Sequence, residues 1–358
     1  MKRLASCLFM EVVLMAPSSS VLSPSARLAA VKVDSPAQVE SVETPIAACP
    51  SCRGQDLIPH GRLPDADHVA GRKLPIALPG GSLVQCKQCR LQFRWPRPSK
   101  AQMDMLYETG DVGYWNSGAD KRPDWQMAAA WIESLGEPTT TTHSILDVAC
   151  FDGRFLNSLD ERHEKSGIEI QPEAVSRAEE SGVRVIARDF EELASLELSE
   201  SHPGFSVVTA FDILEHTHDP LHFIRLAISV LRPGGVLILG TGNTDAPSWR
   251  WMGNDYWYCA NPEHLSFINP AWCGWAASQL GCEVAKVSTL SHSRPTISKV
   301  CRETTMNLIF RAAPRLTHRY LAGYRRLVGS KKRTTASYRP PWFSARDHVL
   351  VQFRKPLG

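Results

Sequence analysis

Four cysteines stand in two Cys-x-x-Cys pairs, Cys49 with Cys52 and Cys86 with Cys89. Each pair lets two thiolates meet one ion from a single tight turn. Two such turns complete a tetrahedral four-sulfur site of the kind that suits Zn2+. The residues between them are rich in proline and glycine and poor in core material, so a metal there would supply folding energy. With cysteine at all four positions no place is left for water, which makes the site structural. A redox pair would call for a βαβ pattern beside it, and neither pair has one. His60 and His68, between the pairs, read as exposed loop residues.

A second constellation begins at ILDVACFDGRF, residues 145–155. An apolar strand carries Asp147, a tight turn holds Gly153, and a helix follows. The dinucleotide fingerprint G-x-G-x-x-G would need glycines at 149, 151 and 154. Ala149, Phe151 and Arg154 stand there, which argues against a nicotinamide enzyme. Further on, KSGIEI ends in an acid, Glu169, placed to accept hydrogen bonds from both hydroxyls of a ribose. Asp189, in ARDFEEL after the next strand, could accept from an adenine amine.

The strand SVVTAFD then runs into FDILEHTHDP, with Glu215 and His216. Histidine titrates near neutrality, so His216 is a candidate general base, with Glu215 to orient it or touch the substrate. Packing beside the next helix is the plainer reading of that histidine. His264, in NPEHL with Asn261 and Glu263, is the second candidate base. His218 and His222 read as solvent-facing.

These residues need elements to hold them. From about 143, short apolar runs alternate with helical stretches, which predicts βαβ units, a parallel sheet and an α/β, Rossmann-like fold. Ligands of such a sheet bind beyond the carboxyl ends of its strands. Asp147, Glu169, Asp189 and Asp212 all map there. One helix is expected over 219–231, with Phe223, Leu226, Ala227, Val230 and Leu231 on one face and RPGG ending it. Another is expected near DWQMAAAWIESL, and a last strand in DHVLVQFRKP. The aromatic run 249–265 reads as a lid, its rings either stacking on a sugar or ring or burying against the lid's own base. Cys150 and Cys259 read as small buried residues. The predicted organisation is a disordered leader (1–46), a cysteine module (47–98), a connecting helical segment (99–140) and an α/β domain (141–358). Within that domain, a basic helical insertion at 296–335 precedes the last strand.

The ordered series Asp147, Gly153, Glu169, Asp189, Asp212, Glu215, His216 and LRPGG resembles the class I S-adenosylmethionine (SAM)-dependent methyltransferases of the ubiquinone-methyltransferase-like type. CKQCRLQFRWPRPS, NPEHLSFINPAW and the closing strand are similar to segments of the zinc-ribbon methyltransferases, although Arg90 replaces a glycine. The looser D-x-G-x-G-x-G loop of SAM enzymes matches at Asp147 and Gly153 only. Phosphate demands glycine for close approach; SAM carries none, so Ala149 is tolerable there. The resemblance implies a seven-stranded sheet with a small N-terminal zinc ribbon. It implies SAM and structural Zn2+ as cofactors. SAM would lie against Asp147, Ala149, Cys150, Phe151, Gly153, Glu169, Ile170, Asp189, Phe190 and Asp212, with catalysis by His216, Glu215 and His264. The reaction implied is methyl transfer to an oxygen or carbon of a small molecule, such as a sugar or a secondary-metabolite or polysaccharide precursor. An RNA-binding or RNA-modifying zinc-ribbon protein, or an inactive methyltransferase-like scaffold, are the alternatives.

Bulk composition is ordinary for a soluble globular protein. Of 358 residues, 43% are hydrophobic and 22% charged, and the net charge of +3 gives little footing for nucleic acid as a partner. Between 302 and 333 nine Lys or Arg face one acid, a segment read as solvated. The first twenty residues resemble a signal peptide, but Glu11 interrupts a run too short to span a bilayer. No membrane partner and a cytoplasmic location are expected.

Overall fold

The structure, a computed structural model, describes residues 48–111, 113, 122–136, 141–195, 204–291, 296–317, 319–320, 323 and 346–357. The expected leader, 1–46, and most of the basic insertion beyond 317 lie outside the described residues.

The cysteine-bearing part contributes β1 (Leu57–Arg62), β2 (Ala66–Val69), β3 (Arg72–Leu78), β4 (Ser82–Cys86) and β5 (Gln92–Trp95). The α/β part supplies β6 (Ser144–Val148), β7 (Glu164–Ile168), β8 (Arg184–Ala187), β9 (Phe205–Phe211) and β10 (Leu231–Gly242). It adds β11 (Ser266–Phe267), β12 (Glu283–Leu290) and β13 (His348–Arg354).

Seven of these form one sheet in the order β12-β13-β10-β9-β6-β7-β8. β8, β7, β6, β9 and β10 are parallel; β13 alone is reversed, pairing antiparallel with both β10 and the edge strand β12. The chain steps outward from β6 to β8, then returns to place β9 on the other side of β6. That reversal opens a crevice beyond the carboxyl ends of β6 and β9, where ligands of open α/β sheets bind. β9 is buried at every position, FSVVTAF, as a central parallel strand covered on both faces must be.

The helix Pro220–Ser229 begins where Asp219 accepts from the amides of Leu221 and His222, and Phe223, Leu226 and Ala227 are buried as their spacing predicts. It is shorter than expected, because RPGG belongs to the start of β10. Leu231 already pairs with Phe205, and the register shifts before Val236. Gly234 sits in the shift at φ +73°, with its amide donating to the Pro356 carbonyl.

A four-stranded sheet has the order β1-β4-β5-β11. Its last strand therefore comes from far along the chain: Ser266 pairs with Phe93 and Phe267 with Gln92. Cys49, Cys86, Cys89 and Phe93 lie in the same apolar cluster as Leu214, Phe223 and Trp272, and the Trp272 indole donates to Ser51 Oγ. The cysteine module shares the core of the large sheet.

The aromatic run is part of that packing. Trp249, Tyr256 and Tyr258 are almost wholly buried and cluster with Leu63, Leu83, Phe267 and Phe310. Trp249 lies 4.8 Å from Tyr256 and 5.5 Å from Phe267, centroid to centroid. Of the two uses open to these rings in sequence, these three take burial: already enclosed by side chains, they have no face left for a sugar.

Candidate active site

Three residues of the loop after β6 take left-handed backbone angles at every second position: Ala149 (φ +62°), Phe151 (φ +51°) and Gly153 (φ +77°). These are the positions at which the SAM-loop pattern has glycine. The glycine conformation persists without the glycines, at a cost of roughly 1–2 kcal/mol for each substituted residue. The surroundings hold it. Cys150 N donates to Ile168 O (3.0 Å) and Gly153 N to Cys150 O (2.9 Å). Phe151 N donates to Glu169 Oε2 (2.9 Å). Cys150 packs so closely on β7 that a Cβ at Gly167 would stand 2.4 Å from its sulfur, and burial pushes its thiol up.

Glu169 ties this loop to the next turn, its Oε1 accepting from Gln171 N at 2.8 Å. Burial raises its pKa, against the lowering effect of these amides. A carboxylate has about four acceptor sites, so acceptor capacity remains beyond these amides. Asp147 is buried, accepts from Thr209 Oγ1 at 2.7 Å, and is pushed up to about 7 by burial. Ile170 is exposed and Asp189 half-buried, and Phe190 packs edge-on against Phe223 at 5.1 Å. Asp212, at φ +51°, pairs with Arg122 at 2.7 Å. Arg122 also binds Asp124 and lies 5.1 Å from the Trp125 ring centre. No spacing in the sequence pointed to Arg122.

A second cluster stands past the end of β9. Glu215 is buried and accepts twice, from Tyr258 Oη at 2.5 Å and from Thr241 Oγ1 at 2.7 Å. Burial, with the nearby Asp212 charge, pushes it up to about 7. His216 Nε2 lies 3.9 Å from Glu215 Oε1, and its ring meets His264 edge to face at 4.9 Å. Burial lowers both imidazoles, His264 further, with His216 adding to the effect there. His264 Nδ1 is 2.9 Å from the Tyr258 carbonyl. A carbonyl only accepts, so Nδ1 carries the proton and Nε2 of the neutral ring keeps its lone pair. Glu263 is buried in the same loop and raised by burial. Glu215, His216 and His264 each present a donor atom within 4.8 Å of the others, close enough to share a proton or a small cation. His218 is exposed and His222 half-buried.

Sequence reasoning named Glu215, His216 and His264 but missed Tyr258 and Thr241, which hold Glu215. It also missed Tyr107, whose ring is 6.1 Å from that of His216. Pairs separated by 26 to 43 residues leave no local signal.

The four paired cysteines converge. Cys49 Sγ lies 3.6 Å from Cys89 Sγ and Cys52 Sγ 3.4 Å from Cys86 Sγ, and all four sulfurs fall within 4.8 Å of one another. A tetrahedron with metal–sulfur bonds of ~2.3 Å has edges of about 3.8 Å, so the donor set fits Zn2+. The two turns are built alike: Arg53 N donates to Cys49 O and Arg90 N to Cys86 O, both at 3.0 Å. Arg53 and Arg90 are both left-handed, at φ +61° and +70°. Arg90 thus adopts the conformation that a glycine would take.

Residues 121–287 match the family described as "Methyltransferase domain". A ubiquinone biosynthesis O-methyltransferase of Pseudomonas paraeruginosa is 30% identical over 175 residues, covering 46% of this chain and 73% of the relative. One of the same name from Ralstonia nicotianae is 26% identical, covering 50% and 80%. Among solved structures, a putative methyltransferase from Bacillus halodurans aligns with TM-score 0.42 at 17% identity, covering 64% of this chain and 98% of its own.

Proposed function

This chain belongs to the class I SAM-dependent methyltransferases, and from that premise we propose that it methylates an oxygen or carbon of a small-molecule acceptor. The acceptor class we favour is a sugar, or a secondary-metabolite or polysaccharide precursor. The observation that carries the reading is the largely buried Glu215–His216–His264 cluster past the end of β9, at the same strand-end edge of the sheet as the loop 149–153.

SAM supplies a methyl group already activated by its sulfonium charge. In this reading the loop 149–153, Asp147, Glu169, Asp189 and Asp212 hold it. The chain's work is then to align the acceptor and take its proton. Depressed by burial, His216 and His264 stand neutral near pH 7, the form that accepts a proton from a hydroxyl or an acidic carbon. Glu215 orients the pair, fixed by Tyr258 and Thr241.

The four-cysteine cluster would hold a structural Zn2+. The division into a zinc-ribbon module (47–98), a connecting segment (99–140) and a transferase domain (141–358) belongs to the same proposal. The Cys-x-x-Cys spacing, which suits a metal rather than a disulfide framework, supports a reducing, cytoplasmic setting. Among the described residues no helix is long and apolar enough to cross a membrane. A screen of nucleotide sugars, hydroxylated aromatics and polysaccharide precursors with methyl-labelled SAM tests the reading. Label should enter a small molecule; label in RNA alone, or SAM failing to bind, would overturn it.

A further inference from the structure

Arg94, on β5 of the cysteine module, is 2% exposed. Among the described residues no carboxylate reaches ion-pair distance of its guanidinium, which is spent on backbone carbonyls. Nε donates to His264 O at 3.1 Å, and Nη1 to Gly80 O at 2.5 Å. Nη2 donates to Cys259 O at 2.8 Å and Asn261 O at 2.9 Å. Its own amide donates to Leu265 O at 2.9 Å. The loop 259–265 is wrapped around one side chain, and Glu263 and His264 ride on it.

Arg97 reaches the same loop and one more. It donates to Leu265 O at 3.5 Å and Ser266 Oγ at 3.0 Å. It also donates to the carbonyls of Thr217 (3.4 Å) and His218, just after Glu215 and His216. The two loops are joined directly as well, since Leu265 N donates to Glu215 O at 2.7 Å. A guanidinium has five donors in a rigid planar fork. Lysine, with one ammonium, cannot span carbonyls that approach from several sides.

We infer that Arg94, assisted by Arg97, is the positioning residue of the Glu215–His216–His264 cluster, so that the cysteine module fixes the acid–base geometry of the neighbouring domain. This rests on the reading that the cluster handles the acceptor's proton. The SAM-loop residues 147–153 make no contact with either arginine among the hydrogen bonds given above, which separates the two functions.

The test compares full-length wild type with Arg94→Lys, reading hydrogen exchange over 259–266, SAM affinity by calorimetry and steady-state kinetics. Exchange at Leu265 and its neighbours should quicken about tenfold or more, as expected for losing charged hydrogen bonds. SAM affinity and its KM should stay within about twofold, while kcat falls about 10²-fold, the penalty for a misplacement near 1 Å. A merely structural role would lower SAM affinity and melting temperature together with kcat. Unchanged exchange and unchanged kcat in folded Arg94→Lys would overturn the inference. If Arg94→Lys does not fold, Arg97→Lys, at a less buried residue holding the same loops, is judged by the same readouts and the same outcomes. Should wild type fail to bind SAM, the methyl-transfer reading falls on its own, and exchange still reports on the arginines.

Discussion

Tyr258 donates its phenolic hydrogen to Glu215 across 2.5 Å, inside a cluster where neither residue meets bulk water. The bond works against burial, which holds the Glu215 carboxyl near pH 7 rather than in the usual range. Two consequences of that tension can be measured.

The first is a pH dependence of stability. Burial raises the folded pKa of Glu215 to about 7, above the ordinary glutamate value near 4.5. Its stabilising share is therefore full below pH ~4.5 and lost as pH rises through ~7. Glu215→Gln cannot ionise, so the variant should gain on wild type across that window, by an amount on the order of 3 kcal/mol. Denaturation of both proteins between pH 4.5 and 7.5 checks the sign. A difference that is flat with pH would mean that Glu215 ionises normally.

The second is catalytic. His216→Ala should lower turnover about 10²–10⁴-fold while leaving SAM affinity nearly intact. His264→Ala should have the smaller effect. Should His264→Ala be dead while His216→Ala turns over at the wild-type rate, the roles must be exchanged. His264 with its free Nε2 would then be the base.

In the SAM loop, Ala149→Gly removes a Cβ from a left-handed residue. Stability should rise by about 0.5–1.5 kcal/mol, with SAM affinity preserved. A loss of stability in urea unfolding would show that the strain is absent.

Glu169→Ala should weaken SAM binding by roughly 1.5–3 kcal/mol, because it removes the ribose acceptor and releases the Phe151 amide. Calorimetry reads this directly, and equal affinity would mean that the ribose lies elsewhere.

For the cysteines, metal analysis of the purified protein should find about one zinc per chain. A Cys86→Ser, Cys89→Ser double variant that retains full zinc would falsify the assignment.

The order of strands and helices in the large sheet was legible because its signals are local. SILDV, SVVTAF and VLVQF announce strands by their apolar runs, and Phe223, Leu226 and Ala227 announce a helix face by their spacing. The convergence of the four paired cysteines was legible for the same reason, from two short motifs. What stayed hidden depends on contacts across long stretches of chain. Arg94 looks like any basic residue of RLQFRWPRPS until a loop 170 residues away closes on it. The aromatic run could not be assigned because Trp249 and Tyr256 would read the same over a sugar or inside a core. Ala149 and Phe151 hid a glycine-like backbone, since propensity alone forbids what their neighbours enforce.

The two-residue strand β11 bears on how such a protein can be altered. Ser266 and Phe267 form the outer edge of a sheet whose other strands all precede residue 96. Removing residues 1–98 would strand that edge and release the carbonyls gathered on Arg94, so the loop 259–265 would lose its clamp. A chimaera that exchanges the cysteine module between relatives would import a foreign clamp for the loop bearing His264. Only donors that carry the matching β11 and the carbonyls beside it should give active hybrids, so the module and the loop are expected to travel as one inherited unit.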